Sequence, residues 1–201
     1  MALPSCDPRE LNGAALRLAL AQEIARFVPT TERGTKAQRD ALAAVQLLER
    51  PMDELGDLVH VTASGFVMSS RGLLLHEHKS LKIWLQLGGH IEPGEWPPEA
   101  AVREAREETG LACRHACDEP LLVRVDVHPG PRGHTHLDLG YLLTAAPVEP
   151  CPPEGESQSV SWFSLEEAQH VAAPDLLEFL GVLERHWNDL KSGVVDGVTE
   201  A

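Results

Sequence analysis

Residues Gly89–Leu111, GHIEPGEWPPEAAVREAREETGL, decide which fold this chain is expected to adopt. Pro97 or Pro98 can occupy the first turn of a helix, where the missing N–H costs no hydrogen bond. Gly110 can take the left-handed conformation that commonly closes a helix at its C-terminal end. The sequence therefore predicts a helix over Pro98–Thr109, preceded by a glycine-containing loop.

The predicted helix has one acidic face. At roughly 100° per residue, Glu104, Glu107 and Glu108 point the same way. The residues expected on the packing face are Ala101, Val102, Ala105 and Thr109. Like charges at Glu104 and Glu108 destabilise a bare helix by roughly 0.2–0.5 kcal/mol, and a divalent cation would remove that repulsion. Because Mg²⁺ prefers oxygen ligands and often bridges carboxylates to substrate phosphates, the pattern predicts a magnesium site.

Arg103 lies outside the three glutamates and can reach Glu107 at i+4, or fold back onto Glu95 in the preceding loop. We expect it to hold the loop and the helix together. The glycines that would let this loop fold tightly, with its backbone close to a metal or phosphate, are Gly88, Gly89 and Gly94.

The segment resembles the box of the Nudix family, written G-x5-E-x7-R-E-U-x-E-E-x-G-U, where U is a bulky aliphatic residue. The matching residues are Gly89, Glu95, Arg103, Glu104, Glu107, Glu108, Gly110 and Leu111. Ala105 is smaller than the usual U residue, and Leu87 stands where many members have proline. With this many fully specified positions, a chance match at a given start is on the order of 10⁻⁸. The resemblance covers roughly residues 58–190 and leaves the N-terminal helices outside it.

The resemblance implies an α/β fold, the Nudix-type α/β/α sandwich around a mixed sheet, here with an N-terminal helical extension. It also implies hydrolysis of a diphosphate linkage by metal ions that neutralise phosphate charge and activate a water. The cofactor would be Mg²⁺, with Mn²⁺ as a substitute. The implied metal ligands are Glu104, Glu107, Glu108 and the carbonyl of Gly88, and Glu95 with Arg103 would form a structural pair in the catalytic site.

Other residues are candidates for the general base or for substrate contact. Members of the family differ in their base, and we expect Glu104 here, with a downstream acid such as Glu156 or Asp138 next. His90 either touches the substrate or orients the loop through a hydrogen bond. Lys82 either attracts phosphate or is a solvated loop charge.

Histidines form a second notable group. His128, His134 and His136 surround a Pro- and Gly-rich turn, and they indicate either a second metal site, a phosphate contact or a merely polar loop. His76 lies before the box and could attract phosphate, or be a solvated loop residue.

Three functions fit these residues. The first is a Nudix hydrolase acting on a nucleoside diphosphate derivative, such as a nucleoside triphosphate, a nucleotide sugar or ADP-ribose. The second is an RNA 5′-end pyrophosphohydrolase, against which the formal charge of -14 and the lack of a long basic stripe count. The third is a non-catalytic nucleotide-binding sensor, against which the intact glutamates count.

Hydrophobic periodicity predicts further elements along the chain. The predicted helices are Leu11–Phe27, Ala41–Leu48 and Pro174–Leu190, and the predicted strands are Val59–Met68, Leu73–His76, Ile83–Leu87, Leu121–His128, Leu137–Thr144 and Val160–Phe163. We expect an N-terminal extension over residues 1–55, a Nudix domain over 56–191 and a flexible tail over 192–201. The apolar stripes of the first two helices either pack on the domain or form a homodimer interface.

Composition fits an ordinary globular chain, with 43% hydrophobic and 24% charged residues. The four cysteines lack the C-x-x-C spacing of a zinc or redox pair, which favours free thiols. No signal peptide and no apolar stretch of membrane-spanning length is visible, so we expect a soluble cytoplasmic protein that binds a small nucleotide and neither membranes nor nucleic acid.

Overall fold

The structure, a computed structural model, describes residues 3–78 and 82–192. The helices are α1 (Gly13–Arg26), α2 (Glu32–Val45), α3 (Pro97–Thr109), α4 (Leu165–Val171) and α5 (Pro174–Lys191). The strands are β1 (Val59–Ser69), β2 (Gly72–Glu77), β3 (Trp84–Leu85), β4 (Leu87–His90), β5 (Arg114–His115), β6 (Leu122–Pro129), β7 (Thr135–Thr144) and β8 (Val160–Phe163). The predicted tail over 192–201 lies outside the described residues from 193 onward.

The chain groups into two compact units. The first comprises Met1–Ser64, Gly89–Ala101 and Leu122–Gly140, and the second comprises Gly65–Gly88, Val102–Leu121 and Tyr141–Ala201. The predicted domain boundary between residues 55 and 56 falls within the first unit, in the loop before β1, and stays a prediction.

In the described residues, eight strands form one sheet. The strand order is β3-β2-β1-β7-β5, while β4 pairs with β1, β6 with β7 and β8 with β2. Strands β1 and β2 are antiparallel, with Met68 opposite Leu73. Strands β1 and β7 run in the same direction, because Thr135 N donates to Leu58 O and the Thr144 hydroxyl donates to Met68 O. The sheet is therefore mixed, as the sequence predicts.

Both predicted N-terminal helices are present in the first unit. Their starts are fixed by side-chain caps, since Asn12 accepts from the amide of Ala15 and Thr31 accepts from the amide of Gly34. The second helix begins at Glu32, nine residues before the Ala41 that marks its predicted apolar stripe. Because the first turns of α2 are polar, hydrophobic periodicity does not mark where this helix begins.

The apolar faces of α1 and α2 are buried within this unit. Leu20 and Ile24 of α1 and Ala41 and Val45 of α2 are fully buried. The side-chain amide of Gln38 donates to the carbonyls of Ile24 and Phe27 at 3.0 and 2.6 Å, which ties α2 to the end of α1. These residues pack within the chain, as one of the two alternatives for the stripes predicts. The homodimer interface stays a prediction.

One ion-pair network attaches α2 to β6. Arg33 donates to both carboxylate oxygens of Asp126 at 3.1–3.3 Å. Arg124 lies 3.3 Å from the same carboxylate, and Nδ1 of His128 lies 3.2 Å from it. Because a buried carboxylate needs several partners, Arg33 makes the N-terminal extension part of the electrostatic support of β6.

The second unit has an aliphatic and aromatic core. Leu73, Leu74 and Leu75 of β2 are fully buried, so both faces of this strand are covered. The ring of Phe66 packs on Phe179 of α5 with 4.6 Å between the ring centroids. No helix in the described part of the chain has the length and apolar character that crossing a bilayer requires.

Candidate active site

Helix α3 forms where the sequence predicts it, within one residue at its start. The Glu99 carboxylate accepts from the amide of Trp96 at 2.8 Å, which satisfies a donor just before the first turn. At the other end Gly110 has φ +70°, the left-handed conformation predicted for it, and its amide donates to Arg106 O at 2.8 Å.

The faces of α3 divide as its periodicity predicts. The packing face is fully buried at Ala101, Ala105 and Thr109. On the acidic face, the side chains of Glu104 and Glu108 are 17% and 12% exposed, whereas that of Glu107 is 53% exposed. Two carboxylates are thus partly shielded from water, and the third faces solvent.

Arg103 bridges two of these glutamates. Its Nη1 lies 2.8 Å from Glu104 Oε1 and 3.0 Å from Glu107 Oε2. Reach to Glu107 at i+4 is one of the two geometries predicted for Arg103, and it is confirmed. The contact with Glu104 at i+1 was not predicted, since neighbours in sequence point away from each other on a helix.

Glu108 is held by two groups that lie far from it in sequence. Oε2 accepts from the amide of Gly88 at 2.8 Å, and Oε1 lies 3.2 Å from Nδ1 of His76. Gly88 has φ +152°, a conformation that favours glycine. The family resemblance implies that the Gly88 carbonyl is a metal ligand, and that role stays a prediction. The group of Gly88 that contacts Glu108 is its N–H. His76 lies on β2, so the periodicity of α3 could not place it beside Glu108.

The neighbouring carboxylates on α3 disfavour the ionisation of Glu104. Burial raises the pKa of Glu104 above its ordinary value, the hydrogen bond and charge of Arg103 oppose that shift, and the charges of Glu108 and Glu107 add to it. A cation placed beside Glu104 would favour its ionised form. This is the electrostatic condition expected of a cation site made of carboxylates.

The loop before α3 belongs to the first unit. Glu95 accepts from the amide of Glu92 at 3.1 Å and closes the turn that contains Gly94, which has φ +99°. The indole N–H of Trp96 donates to Cys6 O at 2.9 Å and anchors the loop to the N-terminal segment. The predicted pairing of Glu95 with Arg103 stays a prediction.

Two of the candidate residues, Lys82 and Glu156, lie in loops of the second unit. Lys82 adopts φ +55° in the turn between β2 and β3, and its ammonium lies 3.5 Å from the carboxylate of Glu77. Glu156 lies in the loop before β8, where its amide donates to Pro153 O and its carbonyl accepts from Gln158. These contacts of Lys82 and Glu156 do not indicate a catalytic role for either residue.

Asp138, on β7 in the first unit, is 2% exposed. Its two oxygens accept from the hydroxyls of Thr62 and Ser64 at 2.9 and 2.7 Å. A carboxylate that is buried and hydrogen-bonded in this way orders the sheet, and this geometry favours a structural role over the catalytic one.

Histidines gather on the same unit. The rings of His60, His90 and His136 have centroids 5.1–5.3 Å apart. Burial, and next the charges of the neighbouring imidazoles, lower the pKa of His136 to about 4. His90 is thus placed among imidazoles. His60 belongs to the group although the sequence analysis did not single it out, because it lies on β1, about seventy residues before the predicted histidine turn.

A family model and several known proteins are similar to this chain. Residues 58–182 match the family model of the NUDIX domain. The m7GpppN-mRNA hydrolase NUDT17 of Xenopus laevis is 31% identical over 151 residues, which are 67% of this chain and 51% of that protein. A protein of Lactococcus lactis subsp. cremoris named "Probable DHNTP pyrophosphohydrolase" is 30% identical over 114 residues, which are 53% of this chain and 69% of that protein. The chain thus spans about half the length of the frog relative.

A solved structure supports the fold. A NUDIX-family hydrolase from Clostridium perfringens superposes with a TM-score of 0.53 at 33% identity, covering 62% of this chain and 97% of that one. The chain belongs to the NUDIX family of pyrophosphate-bond hydrolases. The family, the enzyme class and the α/β sandwich with its mixed sheet are thereby confirmed.

Proposed function

We propose that this chain hydrolyses a diphosphate linkage in a small nucleoside diphosphate derivative, using Mg²⁺ bound at the acidic face of α3. The observation that carries the proposal is the arrangement of Glu104, Glu107 and Glu108. All three lie on one face, and Glu108 is oriented by His76 and the Gly88 amide. Mn²⁺ would substitute, because it accepts the same oxygen ligands.

The side chains present suit a hard divalent cation. They offer carboxylate oxygens, the ligands that Mg²⁺ prefers, and Arg103 is the positive charge that now lies between Glu104 and Glu107. Burial raises the pKa of Glu104, Arg103 opposes that shift, and the charges of Glu108 and Glu107 add to it. We assign Glu104, Glu107 and Glu108 as ligands and the Gly88 carbonyl as a further ligand.

Each residue then has a definite task. When bound, the divalent cation would neutralise phosphate charge and lower the pKa of a water. Glu104 is our candidate for the general base, since it is the shielded carboxylate whose pKa is moved toward neutrality. Arg103 positions Glu104 and Glu107 relative to each other. His76 and the Gly88 amide keep the Glu108 carboxylate in one orientation.

Substrate choice is a further step of the proposal. The family fixes the bond that is cut, whereas the groups on either side of it are selected by loops outside the box. Nucleoside triphosphates, nucleotide sugars and ADP-ribose are our first candidates. His90 and Lys82 are the residues we propose for contact with the substrate.

A second candidate is hydrolysis at an RNA 5′ end. The observation that favours it is the 31% identity to a relative named as an mRNA hydrolase. The charge of -14 opposes binding to a polyanion, because RNA affinity depends largely on cationic side chains. Preference for capped or triphosphorylated RNA over free nucleotides at physiological salt would decide for this candidate.

The test is a turnover assay of the purified chain on a nucleotide panel, with and without Mg²⁺. Release of phosphate or a nucleoside monophosphate only with Mg²⁺ is the expected result. Glu108→Gln keeps the size of the side chain and an oxygen that can accept from Gly88, but it removes the charge. We expect it to lower kcat by about 10²–10³-fold without changing the unfolding midpoint.

Two further variants complete the design. Glu104→Gln should lower kcat by about 10²–10⁴-fold, the range for losing a general base. Glu178→Gln, at an exposed site on α5, is the matched control and should be fully active. If Glu104→Gln and Glu108→Gln turn over as fast as the control, the assignment of α3 is wrong. Nucleotide binding without turnover by the parent would favour the sensor alternative.

A further inference from the structure

We propose that His60, His90 and His136 form a binding site for a divalent transition-metal ion, Zn²⁺ being the best match. One ring nitrogen of each histidine lies within 4.8 Å of a ring nitrogen of the other two. Among the residues that the structure describes, this is the only group of three potential metal-ligand residues that lie so close together. The proposal concerns the first unit alone and does not depend on the function proposed above.

The sheet brings the three imidazoles together. His60 lies on β1, His90 ends β4 and His136 lies on β7. Strand β1 pairs with both β4 and β7, so three adjacent strands each contribute one histidine. Because the ligands stand on paired strands, their backbones are fixed before any ion binds.

The hydrogen bonds of His60 leave a nitrogen suited to a metal. Its Nδ1 lies 3.0 Å from the carbonyl of Asp57. A carbonyl only accepts, so Nδ1 carries the proton and Nε2 of the neutral ring carries the lone pair. That Nε2 is buried and has no hydrogen-bond partner among the described residues. A buried lone pair of this kind is what a metal ion would satisfy.

His90 has the partner that metal-binding histidines commonly have. Its Nδ1 lies 3.2 Å from a carboxylate oxygen of Glu54. A carboxylate that accepts from one ring nitrogen orients the imidazole and makes the other nitrogen a better ligand. Glu54 is therefore a positioning residue for the site, and it acts through His90.

The third imidazole is packed tightly. Nε2 of His136 is buried without a hydrogen-bond partner in the described residues. A Cβ placed on Gly130 would lie 2.3 Å from this atom, so only glycine leaves the ring its present place.

The chemistry of the ligands selects the ion. Imidazole nitrogen suits zinc, copper and nickel, whereas Mg²⁺ prefers oxygen. With Zn–N bonds of about 2.0–2.1 Å, two nitrogens on a tetrahedral zinc lie about 3.4 Å apart. The ring nitrogens now lie within 4.8 Å of one another, so zinc binding requires them to approach by at most about 1.4 Å. The ring centroid of His134 lies 5.1 Å from that of His60.

Metal content and Co²⁺ absorption test the proposal without any turnover measurement. The full chain is stripped with a chelator, titrated with Zn²⁺ in excess Mg²⁺, and assayed for bound metal. Excess Mg²⁺ occupies oxygen sites, so the zinc that remains reports nitrogen ligands. We expect one zinc ion per chain and, with Co²⁺, the intense visible absorption of a tetrahedral site.

Variants locate the ion. His60→Gln and His136→Gln should each weaken Zn²⁺ binding by at least the roughly 10–100-fold that loss of a supporting group costs. His170→Gln, a matched change on the exposed face of α4, should bind like the parent. Glu54→Gln should weaken binding by about 10–100-fold while keeping all three ligands.

A change that removes no ligand covers the case in which a histidine variant fails to fold. Gly130 has φ -96°, which alanine adopts freely, so Gly130→Ala acts only by displacing His136. We expect it to weaken Zn²⁺ binding relative to His170→Gln. Zinc affinity unchanged in His60→Gln, Glu54→Gln and Gly130→Ala, or an octahedral Co²⁺ spectrum in the parent, would overturn the proposal.

Discussion

Gly110→Ala should destabilise this protein far more than Gly133→Ala, although both glycines have a left-handed backbone conformation. Their φ angles are +70° and +79°. A Cβ at Gly110 would lie 2.1 Å from the carbonyl oxygen of Cys151 and 2.9 Å from its carbonyl carbon. A Cβ at Gly133 would meet no atom within 4 Å. The pair therefore separates steric contact from backbone conformation.

The expected magnitudes follow from these contacts. A left-handed alanine costs about 1–2 kcal/mol at either site, and the lower entropy of the unfolded chain offsets about 0.4–1 kcal/mol of it. Gly133→Ala should thus lower the free energy of unfolding by about 1 kcal/mol. At Gly110 the Cys151 backbone must also move by more than 1 Å, given that ordinary contact begins at 3.4 Å.

That movement has a further energetic consequence. It strains the hydrogen bond from Cys151 N to Thr109 O, which measures 2.9 Å. Loss of the bond contributes about 0.5–1.5 kcal/mol, and overpacking contributes about 1–3 kcal/mol. Gly110→Ala should therefore cost about 2–4 kcal/mol more than Gly133→Ala. Denaturant unfolding at one pH, without nucleotide or metal, measures both values. Equal losses would refute the close approach of the Cys151 segment to Gly110.

Two further predictions concern electrostatics and capping. Burial alone would raise the pKa of Asp126, but the hydrogen bond from His128 and the charges of two arginines outweigh it and hold that pKa well below its ordinary 3.8. Asp126 thus contributes stability above pH 3.8 that is lost as the pH falls toward the pKa of its carboxyl in the folded protein. In a plot of unfolding free energy against pH, Asp126→Asn should therefore flatten the acid limb and lower the plateau near neutral pH. An unchanged acid slope would contradict the ion-pair network around Asp126. Ser164 caps α4 in a reciprocal box with Glu167, so Ser164→Ala should cost about 1 kcal/mol in denaturant unfolding, and no loss would show that α4 is held by packing alone.

Local signals in the sequence account for α3 and for most strands. Its proline start, glycine end and buried Ala101 and Ala105 follow from helix geometry, which acts within one or two turns. Where a helix begins with polar residues, as α2 does at Glu32, periodicity marks only its later turns. The seven-residue α4 was missed, because so short a segment shows little periodicity even with a capping box.

Contacts between distant strands could not be predicted in this way. The bond from the Gly88 amide to Glu108 spans twenty residues, and the pairing of Arg33 with Asp126 spans ninety-three. Both depend on which strands and helices become neighbours, and residue spacing along one element carries no information on that. The same holds for His60, which joins the predicted histidines only because β1 pairs with β7.

Two kinds of contact hold the glutamates on the acidic face of α3, and they respond differently to a bound cation. Glu108 is held by a backbone amide and an imidazole, so its orientation is set without a permanent full positive charge. Glu104 and Glu107 share the guanidinium of Arg103, a group that carries its positive charge at neutral pH. A cation that binds at this face therefore competes with Arg103 for two carboxylates but not for the third. Glu108 is accordingly the ligand we expect to be oriented before the metal arrives, and Glu104 and Glu107 are those whose bonds to Arg103 must lengthen or rearrange when it binds.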